Sequence, residues 1–72
     1  MKADKMVTMA NQIAAFFKTQ PNTDQARSVA NHINDFWEPR MRTKLLQYIA
    51  EDGPGLDPLI LEAKEEIRIP AD

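Results

Sequence analysis

The sequence contains no cysteine and few of the other residues that build metal or active sites. Its 72 residues include one histidine, one serine, one tryptophan and two glycines. Without cysteine the chain cannot hold a thiolate-ligated Fe–S cluster or zinc ion, and it cannot form a disulfide. One histidine is too few for a metal centre built from several imidazoles. We therefore expect no catalytic, cofactor-binding or metal-binding residues in this chain.

The sequence also lacks a long apolar run and an excess of positive charge. The longest apolar run, Ile13–Phe17, is far shorter than the roughly 20 residues that span a bilayer. The first residues, Met1–Lys5, contain no apolar stretch of a secretory signal, which predicts a cytoplasmic protein without membrane contact. The net charge is −2. Because nucleic-acid-binding domains are usually basic, this charge argues against a nucleic-acid partner.

The length allows one small domain, residues 1–72. A chain of this size buries only about 60% of its unfolded surface, and its core supplies roughly 3–5 kcal/mol of stability. These limits argue against a self-contained enzyme with a cofactor pocket. The ends, about residues 1–3 and 69–72, are expected to fray.

Proline and glycine divide the sequence into four segments, each long enough for one short helix. The breaks fall at Pro21, Pro39, Gly53–Gly55, Pro58 and Pro70. The first segment, about residues 4–20, places its apolar residues within an arc of about 120°, as a core-facing helix does. The second has the same pattern and begins after an N-cap at Asn22 or Thr23. A connector this short predicts an antiparallel helical hairpin.

The last two segments predict two further helices. The third runs from Pro39 to about Asp52, with Gly53 as the residue after its C-cap. The fourth begins at Pro58 with Asp57 as its N-cap. Its inward residues are predicted to be Leu59, Ile60, Ala63 and Ile67. The sequence therefore predicts an all-α fold, a small bundle of three to four short helices in which a hairpin is followed by two C-terminal helices.

Residues 9–17 and 29–37 resemble each other beyond their shared hydrophobic pattern. Alanine, asparagine, isoleucine and phenylalanine recur at the same offsets in both segments. The repeat indicates either a pseudo-symmetric hairpin or two amphipathic helices that share a stripe by chance. Two copies are too few to define a repeat architecture.

The single histidine and the single serine carry no recognisable catalytic pattern. His32 lies beside the apolar arc of the second helix, and no nucleophile is placed near it as a general base would require. Ser28 does not lie in a nucleophile elbow. The residues are interpreted as a boundary histidine and a solvated helix position.

The only basic cluster in the sequence consists of Arg40, Arg42 and Lys44 at the start of the third helix. It is consistent with a solvated face whose arginine stems cover apolar surface. It is also consistent with pairing to carboxylates of a partner protein. A third alternative is a small helical nucleic-acid-binding regulator that uses these three side chains.

The chain carries more large apolar side chains than four short helices can cover. We expect those left outside, with Leu46 and part of the Phe and Trp set as candidates, to form an interaction patch. Such a patch also allows self-association of the isolated chain. The residues predicted to contact a partner are Trp37, Pro39, Arg40, Arg42 and Leu46. For Trp37, a position in the core between the first two helices is an equal alternative.

Three blocks of the sequence resemble a known family. They are residues 9–17, residues 32–42 with the Phe-Trp-Glu-Pro-Arg-Met-Arg stretch, and the Gly-Leu-Asp-Pro-Leu run at 55–59. Over roughly residues 5–64 the chain is similar to the delta subunit of soluble NAD-dependent formate dehydrogenase.

The resemblance implies a non-catalytic accessory subunit of a cytoplasmic molybdenum enzyme. In that family the catalytic subunit holds molybdopterin guanine dinucleotide and Fe–S clusters. The diaphorase subunits hold FMN, NAD and further Fe–S centres, and the delta subunit holds no cofactor. The implied role is support of assembly, stability or molybdenum-cofactor loading through contacts with the catalytic and diaphorase subunits.

Overall fold

The computed structural model describes residues 3–21 and 24–69, and these form four α-helices. The helices are α1 (Ala3–Lys18), α2 (Gln25–Phe36), α3 (Pro39–Ala50) and α4 (Pro58–Ala63), and a 3₁₀ turn at Lys64–Glu66 follows α4. No strand occurs within the described residues, so the predicted all-α fold is confirmed. The predicted fraying at the ends falls mostly outside the described ranges.

The start of α2 differs from the sequence-based expectation. Asn22 and Thr23 lie outside the described residues, and the N-cap is Asp24, whose side chain accepts a hydrogen bond from the Arg27 amide at 3.1 Å. The predicted cap was therefore wrong by one or two positions. Asp24 stabilises the start of α2 in two ways. Its carboxylate accepts a hydrogen bond from an otherwise unpaired amide, and its negative charge lies at the positive end of the helix dipole.

The core is centred on α2, which packs most extensively against α4 and also contacts α1. The largest fully buried side chains are Val29, Ile33, Leu45 and Ile60. The residues of the C-terminal segment predicted to point inward, Leu59, Ile60, Ala63 and Ile67, are all buried, which confirms that prediction. The last of the four helices is thus as central to the core as the first two.

Asn11 attaches the α3–α4 loop to α1. Its side-chain amide donates to the Gly55 carbonyl at 2.8 Å, and its carbonyl accepts from the Asp57 amide, also at 2.8 Å. Lys18, one end of α1, forms an ion pair with the Asp57 carboxylate. Because Asp57 is also the N-cap of α4, these contacts determine where α4 begins relative to α1.

Asn34 attaches the segment after α4 to α2 in the same manner. Its side chain donates to the Glu66 carbonyl at 2.9 Å and accepts from the Arg68 amide at 2.7 Å. An exposed ion pair between Arg27 and Glu66, at 3.2 Å, lies on the same segment. Each long-range attachment therefore uses one asparagine that pairs with a backbone carbonyl and a backbone amide, the two groups that a loop must satisfy.

We expect the stability contributed by Asp57 to depend on pH. Burial raises the pKa of this carboxyl. The hydrogen bonds from Lys18 and the Leu59 amide, together with the charge of Lys18, lower the pKa by more than burial raises it, so it lies below its usual value. A lowered pKa in the folded state stabilises the fold above the unfolded pKa of about 3.9, and this stabilisation is lost as the pH falls through the folded value.

The test is Asp57→Asn, because asparagine is also a good N-cap and the substitution removes only the charge. The variant should have a lower urea midpoint than the wild type at pH 7, and this difference should shrink as the pH falls below the unfolded pKa of about 3.9. A constant difference between the two proteins over this pH range would show that the charge contributes nothing.

The end of α3 is a Schellman motif centred on Asp52. The Gly53 amide donates to the Tyr48 carbonyl at 2.9 Å, and the Asp52 amide donates to the Ile49 carbonyl at 3.0 Å. Asp52 has a φ of 57°, so it occupies the left-handed position that glycine usually fills. The prediction that Gly53 takes this position was wrong by one residue. Gly53 is needed for another reason, because a Cβ there would overlap the Tyr48 ring.

Asp52→Gly should therefore stabilise the protein. Glycine removes the strain of the left-handed conformation but increases the entropy of the unfolded chain. The net gain in the free energy of unfolding should be about 0.5 kcal/mol. Gly53→Ala is the matched opposite and should destabilise the protein, since the new methyl group displaces Tyr48. The free energy of unfolding in urea, measured for both variants, checks the pair. A destabilised Asp52→Gly variant would contradict this account.

Candidate functional site: an aromatic groove between α1 and α2

Four rings form a continuous row across the surface of α1 and α2. Phe16 packs edge-on against Phe17 with ring centroids 5.1 Å apart, Phe17 lies 6.0 Å from His32, and His32 lies 4.6 Å from Phe36. The two end members are solvent-accessible, with Phe16 59% and Phe36 73% exposed. The two inner members are half-buried. We call these four residues the aromatic row.

The aromatic row borders an open groove of about 470 Å³ between α1 and α2. The groove is lined by Met9, Gln12, Ile13, Phe16, Phe17 and His32. Phe36 stands at its rim against His32. We call this surface, with Phe36 included, the aromatic groove. Exposed phenylalanine at this density is unfavourable in water, and contiguous apolar surface of this kind marks interaction sites.

The structure places Trp37 in the core. Its side chain is 7% exposed, and its backbone amide donates to the Ile33 carbonyl at 2.9 Å, which closes α2. This is the alternative position that the sequence left open. The neighbouring Phe36 points to solvent instead, because successive helix residues differ in direction by about 100°.

The basic cluster does not form a single surface. Arg40 and Lys44 are exposed, whereas Arg42 is half-buried, and its guanidinium donates to the Asn34 side chain at 3.4 Å. The Nε of Arg42 is buried and has no hydrogen-bond partner among the described residues. Pro39 is exposed at the first turn of α3. Of these three basic side chains, Arg40 and Lys44 are therefore accessible to a partner, whereas Arg42 is half-buried and bonded to Asn34.

Leu46 is not on the outward patch. It is half-buried and packs against the core beside the fully buried Leu45, so the expectation that it points away from the core was wrong. The apolar stripe of α3 is wider than the sequence pattern indicated. The outward apolar surface is supplied instead by Phe16 and Phe36, with Leu61 and Ile69 exposed elsewhere.

Equivalent positions of the internal repeat share part of their environment. Ala10 and Ala30 are both fully buried, and Phe16 and Phe36 are both exposed. The two asparagines differ, since Asn11 binds the α3–α4 loop and Asn31 is exposed. The repeated Phe-aromatic pairs, 16–17 and 36–37, were the signal that could have revealed the groove. Adjacent helix residues point about 100° apart, so one ring of such a pair can pack into the core while the other lies at its edge or in solvent.

The groove offers little chemistry beyond binding. His32 is half-buried between Phe17 and Phe36, and Ser28 is half-buried on α2. Within residues 3–21 and 24–69, no three His, Cys, Asp or Glu side chains lie close enough to hold a metal ion. Nor do these ranges contain a helix with the length and hydrophobicity to cross a membrane.

The described residues thus define a small all-α protein with an exposed aromatic groove. A family comparison gives this class a specific identity. The chain belongs to the family described as NADH-dependent formate dehydrogenase delta subunit FdsD, whose model matches residues 5–64. No curated protein matches the chain significantly. The family resemblance predicted from the three sequence blocks is thus confirmed over the same residues.

Proposed function

We propose that the chain is a non-catalytic delta subunit that supports the assembly, stability or molybdenum-cofactor loading of a cytoplasmic NAD-dependent formate dehydrogenase. Membership of the delta-subunit family over residues 5–64 is the observation that carries this proposal. The aromatic groove supports it, because a subunit that works by contact needs an apolar surface to bury against its partner.

The partners proposed are the catalytic and diaphorase subunits of that enzyme. In this proposal molybdopterin guanine dinucleotide, Fe–S clusters, FMN and NAD are all bound by those subunits, and the delta chain binds none of them. The composition agrees with this division, since the chain has no cysteine for an Fe–S cluster. Formate is oxidised at the catalytic subunit without touching this chain.

Co-expression of the formate dehydrogenase subunits with and without the delta chain tests the proposal. Three measurements separate the three roles: the native mass of the complex for assembly, its thermal inactivation half-life for stability, and molybdenum per catalytic subunit for cofactor loading. At least one should fall without the chain, and tagged delta chain should recover the other subunits in fixed ratio. Unchanged values in all three measurements, with no recovery of the subunits, would reject the proposal.

Of the residues predicted to contact a partner, Pro39 and Arg40 are exposed at the start of α3 and remain the contacts proposed here. Trp37 is buried, and Arg42 and Leu46 are half-buried, so these three are not proposed as contacts. Arg40 is the clearest test, because it is exposed and makes no internal hydrogen bond or ion pair among the described residues. Arg40→Glu should leave the urea midpoint unchanged, within about 0.5 kcal/mol in stability, and should weaken recovery of the complex at low salt. Lys44→Glu, one turn further along α3, is the matched control. Equal recovery of both variants and wild type would remove the arginine from the interface.

A further inference from the structure

We infer that the aromatic groove binds the apolar face of an α-helix contributed by another subunit of the formate dehydrogenase complex. This inference rests on the proposed function and specifies the surface and the kind of partner segment. Three properties of the groove carry it: the charge of its walls, the shape of its floor and the area it exposes.

The walls of the groove are uncharged over an unusually long stretch. No charged residue lies between Lys5 and Lys18 on α1, and none carries a formal charge between Arg27 and Asp35 on α2 when His32 is neutral. In the whole chain 28% of residues are charged. A charged partner segment could form no ion pair with the residues of the groove. An apolar helical stripe could pack against them without burying an unpaired charge.

The shape of the groove favours a helix over a small molecule. A cofactor or metabolite site encloses most of its ligand and directs several polar groups toward it. This groove is open along its length, and only Gln12 and His32 among its lining residues are polar. An open channel between two packed helices accepts the anchors that a third helix presents at positions i, i+3 or i+4, and i+7.

The exposed area is too small for a stable pair of identical copies. If a fully accessible phenylalanine presents about 200 Å², Phe16 and Phe36 together expose roughly 260 Å². The other lining residues are half-buried, apart from the exposed, polar Gln12. A standard interface buries about 800 Å² on each partner. The groove therefore requires an occupant held by further contacts elsewhere, as a helix of a larger subunit would be, and not a second copy docked here alone.

Photo-crosslinking in the assembled complex tests the inference directly. A benzophenone amino acid replaces Phe16 or Phe36 in the delta chain, and Leu61, exposed on α4, receives it as a control. We expect the two groove positions to crosslink to one helix of another subunit, with both attachment points on the same face of that helix. Crosslinks from the groove to a second delta chain would overturn the inference in favour of self-association.

A substitution pair gives an independent measure. Phe16→Gln with Phe36→Gln should lower the affinity for the remaining complex by at least about tenfold, since exposed aromatic anchors dominate such interfaces. Leu61→Gln with Ile69→Gln, which removes two exposed apolar side chains outside the groove, should leave it unchanged. Circular dichroism confirms that both variants fold.

The outcomes distinguish this inference from the proposed function. If wild-type chain binds the complex and the phenylalanine variant binds equally well, the groove inference fails and the proposed function stands. If wild-type chain binds none of the formate dehydrogenase subunits, the proposed function fails, and this inference fails with it.

Discussion

Replacing Trp37 with alanine is expected to leave most of the chain unfolded at 25 °C. The indole is 7% exposed and belongs to the buried core cluster with residues of all four helices. Truncation of a buried tryptophan costs about 3–5 kcal/mol. That loss equals the roughly 3–5 kcal/mol that a core of this size supplies in total. Ellipticity at 222 nm in a urea titration measures the loss without relying on tryptophan fluorescence.

The adjacent residue supplies a stringent control for this prediction. Phe36 is 73% exposed, so Phe36→Ala should cost less than about 1 kcal/mol although it removes a ring of similar size. Trp37→Phe should give an intermediate loss, because it keeps part of the packed volume. If Phe36→Ala destabilised the fold as much as Trp37→Ala, the assignment of one ring to the core and the other to the surface would be wrong.

Asn11→Ala is expected to lower the free energy of unfolding by about 2 kcal/mol. The substitution removes two hydrogen bonds and leaves the Gly55 carbonyl and the Asp57 amide without their protein partner. Each such bond contributes about 0.5–1.5 kcal/mol, and an unpaired, partly buried group costs more. The effect should appear in the urea midpoint and in faster amide exchange at the start of α4, where the Asp57 cap lies.

The internal repeat supplies the control for Asn11. Asn31 occupies the equivalent position in α2 and is exposed, and no hydrogen bond joins its side chain to another described residue. Asn31→Ala should therefore change stability by less than about 0.5 kcal/mol. Equal losses in the two variants would indicate that helix propensity, and not the attachment of the loop, explains the effect.

Local signals predicted the helices well, since each depends on residues close in sequence. Proline at the first turn of α3 and of α4, and the Asp57 cap, were predicted at the positions where they occur. The C-terminal end of α3 was placed about two residues too far along, and the left-handed residue after its C-cap one residue too far. Glycine is the usual left-handed residue, but here Asp52 has that conformation, and Gly53 instead gives room to the Tyr48 ring.

The site was predicted less well because it depends on which face of each helix the rest of the chain covers. The surplus of apolar side chains indicated an exposed patch, but its members follow from tertiary packing. Trp37 is covered and Phe36 is not, although the two are neighbours of the same chemical type. The hydrogen bonds of Asn11 to residues 44 and 46 positions away could not be read from any local pattern.

The asparagine attachments and the central position of α4 have a consequence for the order in which the protein folds. Helices α1 and α2 are consecutive in the sequence and contact each other, but the core they share is completed by Leu59, Ile60 and Ala63 of α4. Contacts separated by 30 or more residues carry a large loop-closure cost before they stabilise anything. During synthesis, therefore, the apolar faces of α1 and α2 that pack against α4 stay exposed until the residues of α4 have left the ribosome. For that interval the nascent chain exposes more of its core than the folded protein does, and transiently exposed apolar surface of this kind is prone to aggregation.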